Sequence, residues 1–279
     1  MKKRIISALV GLAFLAVVFA LLETVLLNIV MWLISLIAVW ELLSATGCSK
    51  YRGLTALSFL MALLIPFARV TQVRSFLFEA VYLLILAFFV VLLKNNAAMR
   101  IEHFAMAFLF STVIPVFFSC AVYLRDDYHT VQGGYYLLMA LGSAWLCDTS
   151  AYFVGIKFGR HKLAPKVSPK KTVEGAVGGV VAGTLLMLLL SWAYGLCMQV
   201  LGTPVQLHYG AIAVFTPVFS LIGMLGDLSA SVIKRCYHIK DFGKIMPGHG
   251  GIMDRFDSVL FTLPAVYILS DHISVVTLM

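Results

Sequence analysis

Long apolar runs separated by short polar stretches dominate the chain, and their length indicates the fold. A helix needs about 20 mostly apolar residues to cross the hydrocarbon core of a bilayer, whereas a membrane β-barrel shows short segments of alternating polarity. The pattern therefore predicts an all-α polytopic integral membrane protein with about nine transmembrane helices. The predicted spans are residues 5–22, 25–43, 53–68, 76–93, 104–124, 133–156, 174–198, 209–233 and 258–274.

The basic residues predict the orientation of these spans. If all nine runs cross the membrane and the N-terminus is cytoplasmic, 18 of the 21 Lys and Arg residues lie in cytoplasmic segments and 3 lie outside. Cytoplasmic loops normally carry this excess of basic residues. The run 53–68 is the shortest of the nine, but a failure to cross there would invert the bias in the rest of the chain. We therefore expect a cytoplasmic N-terminus and nine crossings.

Composition predicts a single membrane domain over residues 1–279 with two parts of different character. The chain is 61% hydrophobic and 12% charged, with a net charge of +8. Residues 1–133 are nearly featureless apolar segments and are expected to act as a scaffold. Residues 134–258 carry almost all of the unusual polar chemistry and form the predicted catalytic region, and residues 258–279 contain the last helix.

Eleven of the basic residues fall in two loops, 157–171 and 234–255. Positive-inside topology and anionic lipid headgroups account for basic residues in the short loops. They do not account for this concentration, so phosphate binding in these two loops is the competing interpretation.

A first polar group lies in "LCDTSAYFVGIKFG", residues 146–159. Helical spacing places Asp148, Tyr152, Gly155 and Gly159 on one face. A carboxylate inside an apolar run is costly and usually faces a bundle interior or a cavity. Asp148 is therefore expected either to line a polar cavity or to be a structural carboxylate satisfied by a neighbouring helix.

A second group begins at Ser168. Ser168 followed by Pro169 is typical of a helix N-cap with proline at the first helical position, which would place Lys170 and Lys171 in the first turn. Cations are unfavourable there unless an anion binds, and a helix N-terminus is a natural phosphate site. The alternative is a pair of lysines that reach to the membrane surface. Glu174 would orient the lysines or help to hold a cation.

The same segment continues with Gly175, Gly179 and Gly183, which repeat at intervals of four residues. Small residues at this spacing let two helices approach closely in a membrane. We interpret these glycines as helix-packing positions.

A third group starts within the run 209–233. Asp227, Ser231 and Lys234 share a helix face by their spacing, and Arg235 is next to them. Asp227 is a second acidic residue inside an apolar span. The stretch "PGHGGIMDRFD", residues 247–257, follows and is too rich in proline and glycine to form a regular helix. Backbone N–H groups in such a loop can be directed at an anion.

Carboxylates beside many basic residues have the composition of a metal–phosphate site. Mg²⁺ usually takes one or two carboxylates and leaves the other positions to water and phosphate. Asp227 and Asp254 form the best pair, because they come from two consecutive helices. The chain contains neither the G-x-S-x-G motif of an esterase nor a Walker A motif.

The stretch "SVIKRCYHIKDFGKIMPGHGGIMDRFDS" resembles the signature of the phosphatidate cytidylyltransferase family, also called CDP-diacylglycerol synthases. The match covers Ser231 to Asp257, with Met246 where Leu, Ile or Phe is usual. The upstream stretch "CDTSAYFVGIKFGRHKLAPKVSPKKTVEGAVGG" is also similar to the family, with Ser150 where glycine is common. The resemblance covers the C-terminal half well and the N-terminal half only through topology.

The resemblance implies that CTP and phosphatidic acid are converted to CDP-diacylglycerol and pyrophosphate in the plasma (inner) membrane, at a site that faces the cytoplasm. It also implies a homodimer, Mg²⁺ with or without a second cation, and no nucleic-acid partner. The expected metal ligands are Asp227 and Asp254. The other expected catalytic residues are Lys234, Arg235, His249 and Asp257. The expected substrate-binding residues are Asp148, Ser168, Lys170, Lys171, Glu174, Ser231, Lys240, Gly250, Gly251 and Arg255.

Two other classes of protein remain as alternatives. A CTP-dependent lipid kinase would use similar groups but would form a phosphorylated alcohol. A transporter would place Asp148 and Asp227 on an ion pathway, but its internal repeat is not visible. The D-G-x-x-A-R motif of CDP-alcohol phosphotransferases is absent.

Overall fold

The structure is a computed structural model that describes residues 11, 13–95, 99–246 and 250–279. The prediction for His249, and the part of the first predicted span before residue 11, lie outside the described residues.

Helices account for most of the described chain. Residues 13–20 are helical. The further α-helices are α1 (Leu26–Ala45), α2 (Arg52–Leu64), α3 (Thr71–Arg74), α4 (Leu77–Lys94), α5 (Ile101–Asp127), α6 (Thr130–Phe158), α7 (Val173–Val200), α8 (Tyr209–Cys236) and α9 (Met253–Ser270). Short 3₁₀ helices lie at Cys48–Lys50 and Ile65–Phe67. The strands are β1 (Lys162–Ala164), β2 (Ser168–Thr172), β3 (Val205–Leu207) and β4 (Val276–Leu278).

The helices confirm the predicted class, an α-helical membrane protein. Among the described residues, six helices are long and apolar enough to cross a bilayer: α1, α4, α5, α6, α7 and α8. The segment Arg52–Phe67 is apolar but shorter. Helix α9 begins five residues before the last predicted span and ends at Ser270. The count of nine crossings and the cytoplasmic N-terminus stay predictions.

The chain divides into two compact units. Unit 1 comprises Met1–Tyr123 and Cys236–Arg255, and unit 2 comprises Leu124–Arg235 and Phe256–Met279. Unit 1 has an aromatic cluster in which the ring of Phe88 meets that of Phe108 edge-on at 5.5 Å, while Phe104 stacks on Phe108. Its helix α1 is fixed to the following segment by the Asn28 side-chain amide, which donates to the Pro66 carbonyl oxygen at 3.0 Å.

Two small antiparallel sheets lie in unit 2, and one of them corrects the sequence-based prediction. Strand β2 pairs with β1, and β3 pairs with β4. Ser168 and Pro169 therefore lie in a strand and not at the start of a helix. Helix α7 begins at Val173, and Thr172 caps it by accepting a hydrogen bond from the Gly175 N–H. The fixed φ of proline also suits a short strand, so the Ser-Pro pair is compatible with both structures.

The predicted packing role of the α7 glycines is confirmed. A Cβ atom on Gly179 would lie 2.6 Å from the Ala151 Cβ, and one on Gly183 would lie 3.0 Å from the Cys147 Cα. A Cβ atom on Gly175 would lie 2.9 Å from the Ala151 carbonyl oxygen and 3.1 Å from the Gly155 Cα. The backbones of α6 and α7 therefore touch along this ridge, which leaves no room for larger side chains.

Replacing Gly179 with alanine should destabilise the protein, because the new methyl group would overlap α6. Overpacking of this kind costs about 1–3 kcal/mol, so the melting temperature of the purified protein in detergent should fall by several degrees. Gly210→Ala is the matched control, since no atom lies within 4 Å of its added Cβ. Equal melting temperatures for the two variants would contradict the close approach of α6 and α7.

Candidate active site

Unit 2 gathers polar side chains from four elements into one cluster. The members are Asp148 on α6, Lys171 on β2, Asp227, Ser231 and Lys234 on α8, and Asp257 and Ser258 on α9. Except for Ser258, all are residues that the sequence predicted for the site.

An ion pair between Lys171 and Asp227 connects strand β2 to helix α8. The Lys171 Nζ contacts the Asp227 Oδ2, and the Ser231 hydroxyl lies 3.5 Å from the Asp227 Oδ1. The side chains of Lys171 and Asp227 are 26% and 21% exposed. A partly desolvated pair of this kind is held more firmly than a pair in open solvent. Lys171 owes this place to the strand, because the helical turn that the sequence suggested does not form.

Asp148 and Asp257 complete the acidic side of the cluster. The Ser258 hydroxyl donates to the Asp148 Oδ2 at 3.0 Å, and the Ser258 N–H donates to the Asp257 Oδ1 at 2.9 Å. Asp257 is buried and interacts electrostatically with Asp227, Lys234 and Asp148. Three carboxylates and two lysines therefore share one partly buried region. A bound cation would be attracted by the carboxylates, and a bound phosphate would be attracted by the lysines.

The predicted helix face around Asp148 is only partly found. Gly155 packs against α7, but Tyr152 is 64% exposed and points away from the protein interior. Gly159 follows the end of α6 and is extended. Asp148 is satisfied by the neighbouring helix α9, as the structural alternative required, and it also belongs to the polar cluster.

Glu174 has different partners from those that the sequence suggested. Its carboxylate accepts hydrogen bonds from the backbone N–H groups of Arg160 and His161, and it also contacts the His161 ring nitrogen Nδ1. These contacts fasten the loop before β1 and do not involve the lysines of β2. Nearby, the Arg235 Nε donates to the Val167 carbonyl oxygen at 3.0 Å, and Lys170 is exposed.

The signature loop before α9 belongs to unit 1. Asp254 accepts hydrogen bonds at its Oδ2 from the N–H groups of Phe242 and Gly251, at 2.8 and 2.9 Å. Gly250 has a φ of +88°, a conformation that favours glycine. The Met246 N–H donates to the Gly250 carbonyl oxygen at 2.9 Å. Asp254 thus connects Phe242 to Gly251 through its carboxyl group.

The remaining predicted site residues of unit 1 differ in exposure. Lys240 and Arg255 are exposed. The Gly251 N–H, which the sequence offered as an anion donor, is directed to Asp254. The roles of these residues toward a substrate stay predictions.

Sequence reasoning missed Glu41, the acidic residue of helix α1. Its carboxyl group accepts hydrogen bonds from the Ile252 N–H at 3.1 Å and the Met253 N–H at 2.9 Å, within unit 1. Glu41 is 3% exposed. The signal was present, because Glu41 is an acidic residue inside an apolar run, as are Asp148 and Asp227. The N-terminal part is therefore more than the featureless scaffold that composition suggested.

The donor groups suit Mg²⁺ by their chemistry, although they do not form a dedicated metal cage. Within residues 11, 13–95, 99–246 and 250–279, no group of three or more His, Cys, Asp and Glu side chains is arranged to hold a metal ion. Mg²⁺ commonly binds through one or two carboxylates, with water and substrate phosphates at the other positions. The partly exposed carboxylate of Asp227 fits that mode of binding.

These features define a class: a helical membrane protein with acidic and basic side chains concentrated between its apolar helices. A family model described as the cytidylyltransferase family matches residues 2–272. The chain belongs to this family, and it is a nucleotidyltransferase.

Several similar proteins carry the same name. A phosphatidate cytidylyltransferase of Bacillus subtilis strain 168 is 34% identical over 280 residues, which is 96% of this chain and 97% of the relative. Proteins of that name from Staphylococcus epidermidis strain RP62A and Staphylococcus aureus strain COL are also 34% identical, over 96% of this chain and 98% of each relative.

Replacing Glu174 with alanine should loosen the loop before β1, because the N–H groups of Arg160 and His161 lose their acceptor. Trypsin cleaves after Arg160 in that loop and after Lys162, the first residue of β1, so cleavage at these two sites should become several-fold faster. Limited proteolysis of the purified protein followed by mass spectrometry measures this rate. Glu102→Ala is the control, because Glu102 is exposed and its ion pair is with Arg100, which lies outside the loop before β1. Unchanged cleavage between residues 160 and 162 would contradict the anchoring role.

Proposed function

We propose that this protein transfers the cytidylyl group of CTP to phosphatidic acid and releases CDP-diacylglycerol and pyrophosphate. The observation that carries the proposal is the full-length similarity to proteins named phosphatidate cytidylyltransferase. The polar cluster of unit 2 supports it, because it brings carboxylates and lysines together among apolar helices, and a reaction between two phosphates of a lipid and a nucleotide needs both kinds of group.

The proposed step is a displacement at phosphorus. An oxygen of the phosphatidate phosphate attacks the α-phosphorus of CTP, a new P–O bond forms, and the bond from the α-phosphorus to the bridging oxygen of the pyrophosphate breaks. Because the attacking oxygen is already anionic near neutral pH, no protein group needs to remove a proton from it. The protein instead has to bring two polyanions together and stabilise the charge on the transferring phosphoryl group.

Basic side chains are proposed to supply most of that positive charge. Lys171 and Lys234 lie in the cluster with Asp227, so their positions are set before substrate binds. Lys170 and Arg235 are exposed beside them and are proposed to bind the outer phosphates. Pre-positioned cations lose less side-chain freedom on binding than free surface lysines do.

The proposed cofactor is Mg²⁺, with or without a second cation. Asp227 and Asp254 are its proposed ligands, and Asp257 is proposed to support them. Bound Mg²⁺ would neutralise charge on the phosphate oxygens. Ser168, Ser231 and Asp148 are proposed to complete the binding region through hydrogen bonds. Lys240 is proposed to bind phosphate and His249 to contact phosphate or the leaving pyrophosphate, while Glu174, Gly250, Gly251 and Arg255 stay predicted substrate-binding residues.

The remaining parts of the proposal concern location. We propose that the protein lies in the plasma membrane with the active site on the cytoplasmic side, because 18 of its 21 basic residues would then be cytoplasmic. A homodimer, which the family resemblance implies, stays a prediction.

The purified protein should form CDP-diacylglycerol and pyrophosphate from CTP and phosphatidic acid in the presence of Mg²⁺. Lipid chromatography and a pyrophosphate assay measure the two products, and EDTA should abolish both. Folded protein that phosphorylates a lipid alcohol with CTP, and forms no CDP-lipid, would show instead that it is a kinase. Failure to form either product would contradict the proposed function.

The variant Asp227→Asn should lower kcat by about 100-fold or more, because a charged group that acts on the transition state is lost. It should remain folded, since the amide oxygen can still accept from Ser231 and the side-chain volume is unchanged. Asp271→Asn is the control: Asp271 accepts from the Tyr128 hydroxyl and is exposed. If kcat of Asp227→Asn stays within threefold of the wild-type value, the proposed catalytic role of Asp227 is wrong.

A further inference from the structure

We propose that Glu41 is a positioning residue for the transferase reaction, because its carboxyl group sets the conformation of the turn that carries Asp254. The inference rests on the proposed function, but it concerns a residue of the apolar N-terminal part to which sequence reasoning gave no role. Three observations carry it: the hydrogen bonds of Glu41, its burial, and the glycines that surround it.

The hydrogen bonds connect helix α1 to the start of helix α9. The first N–H groups of a helix have no partner within the helix. In α9 the Met253 N–H donates to the Glu41 Oε2, and the preceding Ile252 N–H donates to the Glu41 Oε1. Glu41 is more than 200 residues away in sequence, yet it provides the cap that a local Ser, Thr or Asp side chain usually provides.

The burial of Glu41 makes this contact hard to replace. The residue is 3% exposed, and Ile252 and Met253 are also buried. Buried polar groups are costly unless they are paired, so water cannot easily take the place of either partner. Loss of the contact therefore has to be compensated by movement of the turn or of α1.

Two glycines of the loop enclose the carboxyl group. A Cβ atom on Gly243 or on Gly251 would overlap the Glu41 carboxyl oxygens. The loop therefore has no side chain at the two positions where it passes over Glu41. Close enclosure of this kind fixes the place of the carboxyl group, which is what a positioning residue requires.

Glu41 and Asp254 together order Phe242 and the segment from Gly251 to Met253. Asp254 accepts from the Gly251 and Phe242 N–H groups, while Glu41 accepts from the next two N–H groups of the chain. Four backbone donors are thus fixed by two carboxyl groups. Displacement of Glu41 should move Asp254 and Arg255, which the family signature includes, without removing either side chain.

The variant Glu41→Gln tests the inference with little change in volume. Glutamine keeps one acceptor oxygen, but its NH₂ group would face a backbone N–H that needs an acceptor. We expect kcat for CDP-diacylglycerol formation to fall at least tenfold per folded molecule. We also expect the amides of Ile252 and Met253 to exchange hydrogen for deuterium at least tenfold faster, with little change in α4 or α5.

Asn28→Ala is the matched control on the same helix. Asn28 is also 3% exposed, and its side chain bonds the Pro66 carbonyl, away from the loop. Its loss should destabilise unit 1 but leave kcat per folded molecule, and exchange at Ile252 and Met253, within twofold of wild type. If Glu41→Gln behaves like Asn28→Ala in both measurements, Glu41 is structural only and the inference is wrong.

Gly243→Ala approaches the same contact from the loop if Glu41→Gln does not fold. The added methyl group should displace the Glu41 carboxyl group, lower kcat per folded molecule at least tenfold and speed exchange at the Ile252 and Met253 amides, whereas Gly210→Ala, whose added Cβ meets no atom within 4 Å, should change neither more than twofold. Equal kcat and equal exchange rates in Gly243→Ala and Gly210→Ala would overturn the inference. If wild-type protein forms no CDP-diacylglycerol, the proposed function fails, while the exchange rates of Ile252 and Met253 still decide whether Glu41 holds the turn.

Discussion

Carboxyl groups placed among apolar helices are the constraint on which the polar parts of this protein depend. Each one has to be satisfied where it lies, because neither lipid nor a packed core provides hydrogen-bond donors. In unit 1 the donors of Glu41 are backbone N–H groups, and in unit 2 the partner of Asp227 is Lys171. The partners lie at the start of α9 in the first case and in strand β2 in the second. These carboxyl groups therefore help to order the segment before α9 and the strand β2.

The same constraint explains where positive charge is available for substrate phosphates. Lys171 and Lys234 are held among carboxylates, so their positions are fixed but their positive charge is partly balanced. Lys170 and Arg235 are exposed. A phosphate that enters such a cluster competes with the carboxylates for the lysines. A divalent cation on the carboxylates would release the lysines for the phosphate, since both kinds of charge then find a new partner. A cluster that contains both carboxylates and lysines can therefore bind a cation and two negatively charged substrates together.

The sequence predicted the parts of the fold that repeated spacing specifies. Apolar runs predicted the positions of the long helices, and the repeat of Gly175, Gly179 and Gly183 predicted close helix packing, for which the structure supplies α6 as the partner of α7. It failed at Ser168, because an N-cap motif is local, whereas pairing with β1 is a tertiary contact that no local pattern records. It also failed at Glu41, whose partners lie more than 200 residues away. The sequence therefore indicated most of the residues of the polar cluster, but it did not indicate which residue each of them contacts.

Glycine has two distinct uses in this chain, and they limit how the signature loop can act. In α7 the glycines allow two backbones to touch. In the loop, Gly243 and Gly251 instead make room for a carboxyl group. A glycine-rich loop beside basic residues suggests that backbone N–H groups hold a phosphate, but the N–H groups from Gly251 to Met253 point at Asp254 and Glu41. The N–H groups of these three described residues are therefore not directed at a phosphate, and we propose that this part of the loop serves the reaction by placing Asp254.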